Sequence, residues 1–316
     1  MQKLTLYKVP WSGDPSEERN QFLGGSDTGT ILGINPFKSP YTLWLEKTGR
    51  VEPTDLSDKL AVKVGHMVED TVAKLYEQET GHRVRESLVS YMCKEYPFLK
   101  GHVDRLVIDD STRGLECKTT SSNNHYDYEN GDVPPYYYSQ CQFYMMMTGK
   151  KYWDLATLKD NTHFYVNTIE RDDDYIDALL ESMKNFWNCV TTNSPPMLDN
   201  SKSTTESINH QFHESSHNEK AVDISSLDAL LENRCKYAEL EQQYKALKTQ
   251  LDNQIKVKLE DNEIGKSKKF IVTWKPSKPK FNPSKAKTFL TDDEYQQCLD
   301  NSSRILRVKA LKQENE

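Results

Sequence analysis

The chain has 316 residues, 36% hydrophobic and 28% charged, enough for one large buried core or two modest ones. It has no apolar run of about 18 residues, and its opening MQKLTLYKVPW lacks the apolar centre of a signal peptide, so the reading excludes a membrane span and predicts a cytoplasmic protein. The net charge of −7 hides an asymmetry, because residues 264–312 carry 12 Lys or Arg against 4 Asp or Glu; overall acidity therefore does not exclude a polyanionic partner.

Along the chain, a charged SEER run leads to Arg19, and a first helix is predicted over 27–32, stopped by Gly33. Ser26, after Gly24-Gly25, reads as its N-cap. Ser39-Pro40 opens a second helix that closes at Gly49, with Tyr41, Leu43 and Trp44 as core. A third, amphipathic helix is predicted over 63–79, and Glu69 falls on the face shared by Val72, Ala73 and Tyr76. A carboxylate there needs a partner, and a salt bridge on the helix surface would supply one. Residues 83–92 read as one strand.

The stretch 101–119, GHVDRLVIDDSTRGLECKT, reads as a β-hairpin with its turn over 109–114. Alternation places Glu116 and Lys118 on one face and turns Cys117 into the core, with Asp104 on the neighbouring strand. Two carboxylates beside an ammonium suit phosphodiester hydrolysis: the acids hold a hard divalent cation through oxygen and the lysine steadies a water. Taken alone, the same residues also fit a surface hairpin with solvated charges. A helix over 134–148 then sets Gln140 and Tyr144 four residues apart on one face. Tyr126, Tyr128, Tyr136, Tyr137 and Tyr138 supply packing or a stacking track. Strands over 153–157 and 163–168 and a helix over 175–190 complete this part.

Residues 191–221 are rich in Ser, Thr, Asn and Pro and read as a linker. His210, His213 and His217 have helical spacing, but their setting is that of a linker. A long helix is predicted over 223–262 with an apolar stripe that must pack on something, followed by a strand over 270–274. IGKS near residue 264 fails as a P-loop, because Glu260 occupies the first glycine position and a helix precedes it; the expectation is no ATP. Six cysteines without a C-x-x-C read as reduced thiols, with no iron–sulfur cluster.

Asp, then Glu-x-Lys, then Gln-x-x-x-Tyr is the order seen in PD-(D/E)XK nucleases of the RecB-like branch. The segment GGSDTGTILGINPFKSPYTLWLEKTG (24–49) resembles the opening of the YqaJ-type viral recombinases, relatives of phage lambda exonuclease. The resemblance spans roughly 19–190 and includes VGHMVEDTVAKLYEQETG and FYVNTIERDDDYID. One departure is HVDR, with His102 and Arg105, where relatives often read SPDG.

The resemblance implies an α/β fold with a restriction-endonuclease-like core, a mixed central sheet flanked by helices, plus a C-terminal extension with a long helix and a short strand. The expected division is a nuclease domain (1–190), a polar linker (191–221) and the extension (222–316). It implies a Mg²⁺-dependent 5′→3′ exonuclease, with Mn²⁺ substituting, that leaves 3′ single-stranded tails on linear duplex DNA for annealing-type phage recombination in the bacterial cytoplasm. Asp104, Glu116 and the Cys117 carbonyl would hold one or two ions, Lys118 would activate water, and Glu69 would be an outer ligand. Gln140 and Tyr144 would support the site, and Arg19 and Ser26 would bind the 5′ phosphate. A trimeric ring and a single-strand annealing partner are also implied. A structure-specific endonuclease and a non-catalytic adaptor for an annealing protein are the alternatives.

Overall fold

Alternation in the 113–120 segment decides the architecture. The structure is a computed structural model that describes residues 4–11, 20–53, 58–121, 125–214, 222–277 and 282–298. The chain forms two units, Met1–Gln211 and Phe212–Glu316. The first contains β1 (Leu6–Pro10), α1 (Gly25–Ile31), α2 (Pro40–Lys47), α3 (Leu60–Thr80), β2 (Val84–Glu86), β3 (Val89–Cys93), β4 (Lys100–His102), β5 (Arg105–Val107), β6 (Arg113–Thr120), α4 (Pro135–Thr148), β7 (Tyr152–Lys159), β8 (His163–Glu170), α5 (Asp173–Thr191) and α6 (Lys202–Gln211).

A mixed five-stranded sheet, ordered β2-β5-β6-β7-β8, lies at the centre. The β6/β7 pair is parallel, from Arg113 opposite Tyr152 to Thr120 opposite Lys159, and α4 is the crossover such a pair requires. In β6, Leu115 and Cys117 pack with Val72, Ala73 and Tyr76 of α3, whereas Glu116 and Lys118 turn toward α4. On the α4 side, Trp153 and Leu155 join Phe143, Tyr144, Met145 and Met147 in the larger core. The sheet is thus flanked by helices, as expected for this fold class. A second, antiparallel sheet, β1-β3-β4, packs on α4.

Three local expectations change. The single strand read over 83–92 is two strands in different sheets, because Ser87 is buried between them and donates its hydroxyl to the Val89 carbonyl, a local bond that competes with the ladder. The opening segment supplies an unexpected edge strand, β1, paired with β3. The stretch read as a linker contains α6, docked on α2. Thr42 Oγ1 lies 2.8 Å from both Ser203 Oγ and Ser207 Oγ, and the Tyr41 hydroxyl donates to Gln211 Oε1 at 2.8 Å. Hydroxyl-rich composition here makes an interhelical contact, so the first unit extends past residue 190. His210 lies on α6, and His217 is outside the described residues.

In the second unit a turn at Ser225–Leu227 leads into α7 (Asp228–Leu259). The strand expected over 270–274 is half of a hairpin, β9 (Ile264–Lys266) with β10 (Ile271–Thr273), followed by α8 (Pro283–Ala286) and α9 (Asp292–Gln297). Gly265 sits under Leu259, whose Cδ2 would lie 2.6 Å from a Cβ there. Among the described residues, no helix is long and apolar enough to cross a membrane.

Candidate active site

Three elements bring the site together. Strand β6 presents Glu116 and Lys118, α4 presents Gln140 and Tyr144 one turn apart, and Asp104 stands at the bend between β4 and β5. Lys118 Nζ donates to Glu116 Oε1 at 2.5 Å and Gln140 Nε2 donates to the same oxygen at 2.8 Å. Gln140 Nε2 also reaches the Tyr144 hydroxyl at 3.0 Å. The Lys118 ammonium lies 5.0 Å from the Tyr137 ring centre, a cation–π contact that holds it against α4.

The electrostatics are those of a crowded acid pair. Burial pushes the Glu116 carboxyl up from its ordinary range, the Asp104 charge adds to this, and Lys118 opposes it. Asp104 therefore stands close enough for its charge to be felt by the buried Glu116 carboxyl. Burial alone would lower the Lys118 ammonium, but Glu116, Tyr137 and Asp104 raise it further, so it stays charged. Burial also pushes the Tyr144 phenol well up, keeping it neutral.

Glu69 is brought to the rim of this cluster. Its carboxyl is raised first by burial and then by Asp104, while Arg105, His66 and Lys118 pull it down. Arg105, with its side chain 8% exposed, reaches Glu69 Oε1 at 3.2 Å and Asp70 Oδ1 at 2.5 Å. The arginine of the HVDR departure is therefore the partner that Glu69 requires. His102, the other departure, stacks on Trp11 with ring centres 3.9 Å apart.

The residues fit a hard divalent cation. Glu116 Oε2 is buried with no hydrogen-bond donor, and a carboxylate oxygen so placed, with a second carboxyl beside it, is a donor set a hard cation can use. Among the described residues no three His, Cys, Asp or Glu side chains are grouped to hold a metal, so the ion would rest on Asp104, Glu116, a main-chain oxygen such as the Cys117 carbonyl, and water. The Cys117 thiol itself faces the α3 core, and burial pushes it up.

Ser26 is exposed at the second position of α1, and the cap is Gly24, so the serine is not the N-cap. Arg19 lies outside the described residues. Helix α1 meets α4 closely, because a Cβ on Gly25 would lie 2.8 Å from the Tyr144 ring and one on Gly29 2.5 Å from Tyr136 Cβ. Of the five tyrosines, Tyr128 is buried and the others are partly buried, Tyr137 against Lys118. Two groupings escaped the sequence reading. One is the Arg105 fork. The other is Asp154, 1% exposed, which accepts from Tyr76 Oη at 2.5 Å, Arg113 Nη1 at 2.6 Å and Thr168 Oγ1 at 2.6 Å. The acid within an otherwise apolar strand, WDLAT, was its one signal.

Residues 16–151 match the YqaJ-like viral recombinase domain. The protein YqaJ of Bacillus subtilis (strain 168) is 36% identical over 265 residues, 82% of each chain. Among solved structures, the alkaline exonuclease LHK-Exo of Laribacter hongkongensis is similar with a TM-score of 0.46 and 19% identity, over 57% of this chain and 92% of that one. A phage-related exonuclease of Haemophilus somnus 129PT has a TM-score of 0.41 and 13% identity, over 54% and 96%. The Bacillus protein's identity of this degree over 82% of both chains makes the protein a member of the YqaJ-like viral recombinase domain family.

Proposed function

We propose that the protein is a DNA exonuclease that uses Mg²⁺, or Mn²⁺ in its place, to digest one strand of linear duplex DNA from the 5′ end. The observation that carries this reading is Glu116. One of its oxygens is held by Lys118 and Gln140, and the other is buried without a donor beside Asp104. A cation held by Asp104 and Glu116 would supply Lewis-acid polarisation of the phosphate and a lowered pKa for water. Lys118, charged and clamped between Glu116 and Tyr137, orients the water. Gln140 fixes the Glu116 carboxylate, Tyr144 supports Gln140, and Glu69 is an outer oxygen ligand steadied by Arg105.

Arg19 and Ser26 bind the 5′ phosphate in this reading, the guanidinium through paired hydrogen bonds and the serine through its exposed hydroxyl in the first turn of α1. The enzyme acts as a ring-shaped homotrimer in the bacterial cytoplasm without ATP, and its 3′ tails pass to a single-strand annealing protein. Family membership supports a role in phage-type recombination.

The test is incubation with Mg²⁺ and linear duplex bearing a 5′ phosphate or a 5′ hydroxyl, with a closed circle and K118A as controls. Stepwise loss from the phosphorylated end, absent in K118A and on the circle, is the expected result. Cutting of the circle would make the protein a structure-specific endonuclease. No cleavage with any divalent metal would leave an adaptor for an annealing protein.

A further inference from the structure

The β9–β10 hairpin of the second unit lies outside the catalytic machinery and is built unlike a surface turn. Residues 264–277 contain Lys266, Lys268, Lys269 and Lys275 and no carboxylate. All four lysines are exposed, and none forms an ion pair among the described residues. Between Lys269 and Lys275 stand Phe270, 71% exposed, and Trp274, 47% exposed.

The tip is held in shape from within. Ser267 N–H donates to the Phe270 carbonyl at 2.8 Å, and Ser267 Oγ accepts from the N–H groups of Phe270 at 2.9 Å and Lys269 at 3.2 Å. The base is fixed on the end of α7, with Gly265 against Leu259 and Trp274 N–H donating to the Glu263 carbonyl at 2.8 Å. Lys256 adds its ammonium 5.9 Å from the Trp274 ring centre. A preorganised tip carrying Lys268, Lys269 and an exposed Phe270 suits a polyanion that also offers flat apolar faces.

We propose that this hairpin is a binding site for single-stranded DNA, with the lysines on phosphates and Phe270 stacked on an unpaired base. Paired bases in a duplex hide those faces, whereas exposed lysines beside exposed aromatic rings match the phosphates and open bases of a single strand. The proposal rests on the nuclease reading only for the choice of DNA as the polyanion.

The test uses the full chain in EDTA, with fluorescence anisotropy of a labelled oligothymidylate. F270A should weaken binding roughly fivefold or more, F270W should restore it, and K268E/K269E should weaken it further and flatten its salt dependence. Each variant should cleave a short duplex with Mg²⁺ at the wild-type turnover rate. Wild-type affinity in F270A, equal loss of duplex binding in that variant, or displacement of the oligonucleotide by polyglutamate at equal charge would overturn the proposal. If wild type cleaves no DNA yet F270A loses the oligonucleotide, the nuclease reading fails and this one stands.

Discussion

Arg105 reaches Glu69 across 3.2 Å from a side chain 8% exposed, tying α3 to β5 at the edge of the acid cluster. The same guanidinium holds Asp70 and lies 3.7 Å from Glu86. Its partners are partly exposed, so truncating it costs less than breaking a sealed ion pair. R105A should lower stability by about 1–3 kcal/mol in urea denaturation. R105K should recover only part of this, because one ammonium cannot reproduce the fork.

Glu116 gives the metal-free protein a pH dependence of definite sign. Its carboxyl titrates above the ordinary range when folded, so the folded chain holds a proton that the unfolded chain has released, and stability falls as the pH rises through that window. Denaturation in EDTA between about pH 5 and 7 should show a loss of up to about 1.4 kcal/mol per pH unit. E116Q should flatten the slope, and Mn²⁺ should oppose it in the wild type.

Gln140 is the link between Glu116 and Tyr144. Q140A should weaken Mn²⁺ binding in calorimetry and reduce DNA cleavage by roughly tenfold or more, since one charge-assisted hydrogen bond is worth about 1.5–3 kcal/mol. Y144F should have a smaller effect, roughly severalfold on turnover.

Asp154 ties α3, β6 and β8 to β7 through three donors. D154A leaves Arg113 and the Tyr76 hydroxyl without that acceptor, and urea denaturation should register a loss of about 3–5 kcal/mol. Y76F, which removes one donor, should cost about 1 kcal/mol.

The α1–α4 contact leaves no room for a side chain at Gly29, where a Cβ would lie 2.5 Å from Tyr136 Cβ and 3.0 Å from its Cα. G29A should destabilise by about 1–3 kcal/mol through overpacking, measured by thermal unfolding.

The Glu116–Lys118 strand and the Gln140–Tyr144 helix were legible because their groups lie two and four residues apart, distances that strand and helix periodicity translate directly into faces. Asp104, expected on the neighbouring strand, stands instead at the bend between β4 and β5, where the chain passes from one sheet to the other. Glu69 was legible as an acid on an apolar face, but its partner was not: Arg105 is 36 positions away, and only the packing of α3 against the sheet joins them. Asp154 draws its donors from three other elements, a convergence no local spacing carries. Helix α6 was hidden for another reason. Its contact with α2 is made by hydroxyls, and a Ser/Thr-rich segment has the composition of a linker whether or not those hydroxyls find partners.

That docking also sets where the chain can be cut. Ending a fragment at residue 190 strips α6 from α2 and leaves Tyr41, only 8% exposed in the intact unit, without its Gln211 partner. Ending it after Gln211 retains the whole interhelical seam. A protease-resistant fragment carrying the Glu116 site should therefore have its C-terminus beyond α6, and a gene fragment cloned to the shorter limit should yield protein prone to precipitate.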